Sequence, residues 1–265
     1  MTILTRTRAL VLAAGLGAAT LMGAVSAKAV TLNEIVQRGT VRIGVLIGGP
    51  PMGMVDDKGN PTGYDYDVAV LLAKYLGVKA EYVALTPPAR IPALQTGRVD
   101  FLVATLNPTP ERARSVMFTM PYNAFNMVVV TSGGKQAASL DDLKGKKVGA
   151  NRGSPQEAAL RRAGGISVVV FDDDSIVTQA LLSGQIDAAA LPETLVQSVT
   201  KQNPGAKLVT GFSIYAQGNS MAVRQGDFEL LQWLNNTVYF MKKSGELDTL
   251  YRKWTDTPLP PLDTF

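Results

Sequence analysis

The chain has no cysteine and no histidine. A sequence without either cannot assemble a histidine-based triad, a thiol nucleophile or a zinc site with the usual nitrogen and sulfur ligands. It cannot staple itself with disulfides either, so its own apolar core has to hold the fold. Sites built on Asp and Glu alone remain open, and nothing in the composition calls for a cofactor. Charge of one sign is also scarce once the first residues are set aside. Removing Arg6, Arg8 and Lys28 leaves 23 of the 26 basic residues against 22 acidic ones, a net charge of +1. The basic character of the whole chain therefore implies no nucleic-acid partner.

What is present at the start is a leader. Arg6 and Arg8 form a positive segment, residues 9–25 an uncharged apolar stretch, and Ala27-Lys28-Ala29 a small-x-small cleavage signal. This pattern predicts a secretory signal peptide over residues 1–29 and a mature periplasmic chain from Val30. The apolar stretch is short of the roughly 20 residues a membrane-spanning helix needs. No cysteine follows the cleavage signal, which excludes anchoring through a lipidated cysteine. The 236 residues left of 265 are enough for one large domain or two lobes of roughly 100 residues each.

Along the mature chain the pattern is strand, helix, strand, helix. VRIGVLI from Val41 reads as a strand, and the apolar positions Val68, Leu71, Leu72 and Tyr75 recur at helical spacing up to Gly77. A strand over residues 80–85 and a short helix over 91–97 follow. After the glycine-rich turn at 132–135 a second alternating series begins, with strands over 147–150, 168–171 and 186–191. Extended segments over 212–217 and 220–224 and a long helix over 227–243 close the chain. Such alternation predicts an α/β fold with a mostly parallel sheet covered by helices.

One stretch carries the functional signal: DFLVATLNPTPERARSVMFTMPY, from Asp100 to Tyr122. Its first residues read as a buried strand, and Thr109-Pro110 reads as the N-cap and first position of a helix. Arg112 then falls in the first turn, where a cation opposes the helix dipole unless an anion shares that helix start. A guanidinium beside Thr105, Asn107 and Thr109 makes a reasonable carboxylate clamp. Arg112 can equally be a solvated surface residue alongside Arg114, and spacing alone does not choose between the two.

Several motifs stand in an order that resembles a known family. They are VRIGV, GYDYDVAVLLAKYLG, RIPALQTGRVDFLVATL, TPERARSVMFTMPY, DDLKGKKVGANRGSPQE, ALLSGQIDAAA and YRKW. In this order they resemble the type 3, polar amino acid type, periplasmic solute-binding proteins of ABC importers. The resemblance implies a two-lobed periplasmic binding protein fold (type II), joined by two crossing segments at 127–132 and 219–223. Lobe one would be residues 30–130 plus 222–265, and lobe two residues 131–221. It also implies a monomer with two partners: a small-molecule ligand, amino acid or organic acid, and an inner-membrane ABC permease.

The resemblance assigns residues too. Arg112 matches the arginine that grips the ligand's α-carboxylate, while Asn107 stands where a hydroxyl residue usually bonds the amino group. Thr105 matches another hydroxyl position, and Gly153-Ser154-Pro155 the turn that completes the carboxylate shell. Pro192 stands where an aspartate usually pairs with the α-ammonium, leaving Glu193 next door as a substitute. Met52 replaces the usual aromatic wall residue. Arg90 and Arg152 add positive charge near the cleft, which would suit a ligand with two carboxylates; the alternative for each is a pair with an Asp or Glu of this chain. The implied function is capture and delivery rather than catalysis. The alternatives are a cleft enzyme resembling cyclohexadienyl dehydratase, with Glu193 as the acid, and a ligand-sensing partner of a membrane receptor.

Overall fold

The computed structural model describes residues 31–262; the expected leader lies outside them. Helix α1 (Leu32–Arg38) opens on a reciprocal cap, in which Thr31 Oγ1 accepts from the Glu34 N–H at 3.1 Å and Glu34 Oε2 accepts from the Thr31 N–H at 2.8 Å. It ends at Gly39 in the left-handed conformation. Strand β1 (Thr40–Leu46) leads to a small hairpin, β2 (Met54–Val55) and β3 (Pro61–Thr62), then to α2 (Tyr64–Leu76), β4 (Lys79–Leu85), α3 (Arg90–Gln95) and β5 (Phe101–Leu106). Every residue of β5 is buried, as an unbroken apolar run requires of a strand covered on both faces.

The chain then enters β6 (Val116–Thr131). The second series is β7 (Lys147–Asn151), α4 (Pro155–Ala163), β8 (Ser167–Phe171), α5 (Asp174–Leu182), β9 (Ala188–Pro192) and α6 (Glu193–Gln202). It returns through β10 (Val209–Arg224) to α7 (Phe228–Lys243) and α8 (Glu246–Thr255). No helix of the described residues is long and apolar enough to cross a membrane.

All the main strands belong to one sheet, ordered β4-β1-β5-β10-β6-β9-β7-β8. The outer strands pair in parallel on each side, and the central three contacts are antiparallel. The long strands β6 and β10 run through both halves. Near Arg224, β10 is an inner strand between β5 and β6; near Val209 it is an edge strand paired with β6 alone. β6 does the reverse, gaining β9 as a second neighbour only from Met127 onward.

The apolar core divides in the same way. One cluster joins Ile43, Phe101, Leu102 and Tyr122 to Leu234 and Tyr251 near the C-terminus. On the other side Val128 and Val130 face one cluster with Leu181 and Leu191, while Val129 between them faces another with Val148 and Leu160. That alternation is the two-residue period of a strand buried on both faces.

Two sequence expectations differ from this structure. The segments 212–217 and 220–224 are one 16-residue strand. The helix expected from Thr109 is a single 3-10 turn, Arg112–Arg114, cut short because β6 starts two residues later.

Candidate ligand-binding cleft

The carboxyl ends of β1 and β5 on one side, and of β7 and β9 on the other, meet the starts of α4 and α5 around a cleft. Leu46, Thr105, Asn107 and Arg112 line it from the first half, and Asn151, Ser154, Gln156 and Asp174 from the second. About 460 Å³ of space, open solvent included, lies between its lining atoms. The two sides touch at its rim, where the Ser175 N–H donates to Gly48 O at 3.0 Å.

Arg112 joins the sides as well. Its Nη1 donates to Asn107 O at 2.9 Å and its Nη2 to Gly153 O at 3.1 Å, across the cleft. These bonds use two of the five N–H donors of a guanidinium. Burial lowers the Arg112 pKa, which a buried cation tolerates best with an anionic partner. The Arg112 backbone N–H is taken by Thr109 Oγ1 at 3.2 Å. The clamp therefore rests on the side chain, not on a helix start.

Thr105 and Arg90 build the floor of the first half. Thr105 has φ 45, a left-handed conformation that β-branched residues rarely adopt. It is held there from every direction. Its N–H donates to the Tyr122 hydroxyl at 2.8 Å, its own hydroxyl donates to Asp65 Oδ2 at 2.7 Å, and Arg90 Nη1 donates to Ala104 O at 2.7 Å and Thr105 O at 2.8 Å. Arg90 Nε takes Pro87 O at 2.9 Å. Burial and the nearby charge of Arg112 bring the Arg90 pKa down to about 9, so it stays charged at neutral pH. These backbone bonds make it a support for the strained strand end.

Asp65 lies beneath this floor, fully buried, and also accepts from the Tyr122 hydroxyl at 2.6 Å. Burial pushes its carboxyl up to about 7 from 3.8, against the hydrogen bonds from Tyr122 and Thr105. The folded state therefore holds a proton that the unfolded chain has released. Stability falls as pH rises from about 4 to about 7 and levels off above, by a few kcal/mol for a shift of this size. Asp65→Asn is expected to remove this contribution while Asp174 keeps one of the same sign. Urea titrations at pH 5 and pH 8 check it: the stability difference between the two should be smaller in the variant than in wild type.

The second half offers fewer free donors than the sequence implies. Ser154 caps α4, accepting from the Glu157 N–H at 3.2 Å, while its hydroxyl donates to Asn151 O at 2.6 Å. Gly153 N–H is taken by Glu157 Oε2 at 2.7 Å. Arg152 lines the cleft, but it is about half exposed and its Nε donates to Asp172 Oδ1 at 3.2 Å.

Two expected residues lie elsewhere. Met52 is buried in the first half's apolar core, because its backbone carbonyl accepts from the Asp65 N–H at 2.9 Å and the side chain turns inward. Glu193 starts α6, does not line the cleft, and accepts from Asn126 Nδ2 at 2.8 Å. It lines a separate groove with Tyr251 and the tail from Thr257.

Two others went unread. Asn151 and Asp174 are 6% and 7% exposed, line the cleft, and join through Asn151 Nδ2 to Asp174 Oδ1 at 2.7 Å. Burial pushes the Asp174 carboxyl up to about 7. The signal was the run Asp172-Asp173-Asp174, in which Asp173 alone is spent as the N-cap of α5.

The model of the bacterial extracellular solute-binding proteins, family 3, matches residues 41–257. The chain is a family 3 solute-binding protein. The L-cystine-binding protein TcyJ of Escherichia coli (strain K12) is 31% identical over 226 residues, covering 84% of this chain and 85% of that protein. Among solved structures, an ancestral arginine-binding protein bound to arginine superposes with a TM-score of 0.77 at 37% identity, over 82% of this chain and 98% of its own. The ancestral amino acid-binding protein AncCDT-1, a precursor of cyclohexadienyl dehydratase, does so at 0.78 and 34%, over 84% and 99%. Like its two-lobed neighbours, this family 3 protein places its cleft between halves that share two strands.

Proposed function

We propose that this protein is the extracytoplasmic solute-binding component of an ABC importer, capturing a small carboxylate-bearing solute, an amino acid or related organic acid, and presenting it as a monomer to an inner-membrane permease. The observation that carries the reading is Arg112. It is a cleft guanidinium that bridges the two halves through backbone carbonyls alone and meets no carboxylate of the described residues. A solute carboxylate would complete its shell and add contacts that exist only when both halves touch, which is what drives closure. The hinge would lie where β6 and β10 exchange neighbours, between residues 121 and 127 and between 215 and 220. Relatives named for cystine, arginine and glutamine support an amino acid.

A thermal-shift screen of residues 30–265 against amino acids, dicarboxylates and aromatic acids tests the reading. A solute at a hundred times its Kd adds about 2.7 kcal/mol, and a melting point unmoved by every carboxylate would sink the proposal. The enzymatic alternative loses its acid, because Glu193 does not line the cleft, and would pass to Asp174. Recovery of a cyclic carboxylate unchanged after incubation favours capture; loss of water from it favours the enzyme.

A further inference from the structure

We infer that the groove lined by Glu193 is a second binding site, for a small apolar organic cation, and that its occupation favours closure of the cleft. The inference goes beyond the capture reading and shares with it only the hinge. There β6 and β10 form a two-stranded ribbon, with Tyr215 to Asn219 paired one by one against Met127 to Asn123. In such a ladder alternate residues face opposite sides. Phe125, Met127 and Gln217 line the cleft, whereas Ala124, Asn126, Ala216 and Gly218 line the groove and not the cleft. Phe125 and Gln217 reach both. The groove therefore lies behind the ribbon that joins the halves.

Its walls belong to different halves. Helix α6, whose Leu195 and Val196 pack into the second half's core, brings Glu193 and Gln197. Tyr251 and the proline-rich tail from Thr257 to Leu262 form the opposite wall. That tail is fixed to the first half, since the Leu259 N–H donates to Asp248 Oδ1 at 2.8 Å and Lys242 Nζ donates to Leu262 O at 2.8 Å. About 1200 Å³ of space, open solvent included, lies between the lining atoms of the groove, against about 460 Å³ in the cleft. The groove thus stands wide in the same form whose cleft rims touch at Ser175 and Gly48. A rotation about the ribbon that parts those rims brings the walls behind it together, so a molecule lodged between them resists opening. Its preference for the closed form is what shifts the equilibrium.

The lining selects the occupant. Glu193 is the single charged side chain among the groove's lining residues and forms no ion pair among the described residues. It is half-buried and takes one neutral donor, Asn126 Nδ2 at 2.8 Å. The Tyr251 hydroxyl spends its proton on Ala124 O at 2.9 Å, and burial together with the charge of Glu193 raises its pKa. Around this carboxylate stand the rings of Phe125 and Tyr251 and four prolines. An anion would meet the Glu193 charge, and a wholly apolar molecule would desolvate it without compensation. A cation with an aromatic or aliphatic body satisfies the carboxylate and the rings together.

Titration calorimetry with 2-phenylethylamine, which has no carboxylate for Arg112 to hold, tests the site. The amine should bind wild type roughly tenfold or more tightly than 2-phenylethanol, its uncharged counterpart, since a hydrogen bond to a charged group outweighs a neutral one. Glu193→Gln, which can still accept from Asn126, should remove that advantage, while Asp174→Asn, at the acid of the cleft, should keep it. Loss in Asp174→Asn with Glu193→Gln unaffected places the amine in the cleft and overturns the inference. Equal binding of amine and alcohol, or binding of neither, overturns it without any variant having to fold. Small-angle scattering of the solute-free protein then reads closure: saturating amine should lower the radius of gyration of wild type and leave that of Glu193→Gln unchanged. A radius unmoved by bound amine overturns the coupling. Failure of every carboxylate to shift the melting point would remove the capture reading and leave these results standing.

Discussion

Arg112→Ala is expected to weaken binding of any solute held by its carboxylate roughly 10²- to 10³-fold, while the ligand-free protein melts close to wild type. The asymmetry follows from what the guanidinium touches. In the free protein it donates to two backbone carbonyls, Asn107 O and Gly153 O, at 2.9 and 3.1 Å. Water replaces such bonds at a net cost of about 1 kcal/mol each at a cleft rim. A bound carboxylate, by contrast, would lose a charged, forked partner in a largely desolvated place, where truncating one member of a pair costs about 2–5 kcal/mol. Arg112→Lys should recover only part of the loss, since a point charge lacks the planar fork. Calorimetry on the wild type and both variants decides it: equal affinity in all of them would remove Arg112 from the site.

The second large effect lies at the opposite rim. A Cβ on Gly48 would stand 2.5 Å from Asp173 Cβ, a distance no relaxed structure shows, and Gly48 has φ +77. Gly48→Ala is therefore expected to prevent the contact between Gly48 O and the Ser175 N–H. Affinity should drop roughly tenfold or more, in proportion to the closed population lost. Backbone strain must be separated from the clash, because a side chain in the left-handed region costs about 1–2 kcal/mol by itself. Gly59 provides the control: it has φ +82, and nothing lies within 4 Å of its added Cβ. Gly59→Ala should show the loss in melting temperature without the loss in affinity. Small-angle scattering with saturating solute should leave Gly48→Ala at a larger radius than either wild type or Gly59→Ala. Identical radii would show that this rim does not control closure.

The elements that periodicity governs were legible in the sequence. The short strands and most helices fall within a few residues of the reading. Continuity of the two long strands was not legible. Pro121, Asn123 and Gly218 sit in a ladder whose register slips between Asn219 and Ser220. A buried pair there, Asn219 Nδ2 to Asn123 Oδ1 at 2.6 Å, supplies the polar bonding that a turn would otherwise have explained.

The cleft was legible as far as single residues carry their own signal. Arg112 stood out through the motif it shares with the resembled family, since the helix start that made a cation look misplaced there is only a 3-10 turn. Arg152 pairs with Asp172, as one of its two readings allowed, whereas the backbone carbonyls that engage Arg90 depend on tertiary placement. Met52 and Glu193 failed for the same reason: which side of a sheet a loop residue meets is not written locally. Asp174 was hidden by its neighbours, since three consecutive acids before a helix look like redundant capping.

The sharing of β6 and β10 also orders the protein's history as a chain. The second half is assembled from nearly contiguous sequence, with Met127 to Pro192 already in contact and only β10 arriving from just beyond. The first half is not: its core waits for Leu234, Leu247 and Tyr251, the last giving its hydroxyl to Ala124 O at 2.9 Å. Contacts that span more than a hundred residues form late because loop closure precedes their reward. A nascent chain stopped before α7 would thus hold a nearly finished second half beside an open first one. Completion of this molecule is reserved for its final turns of helix.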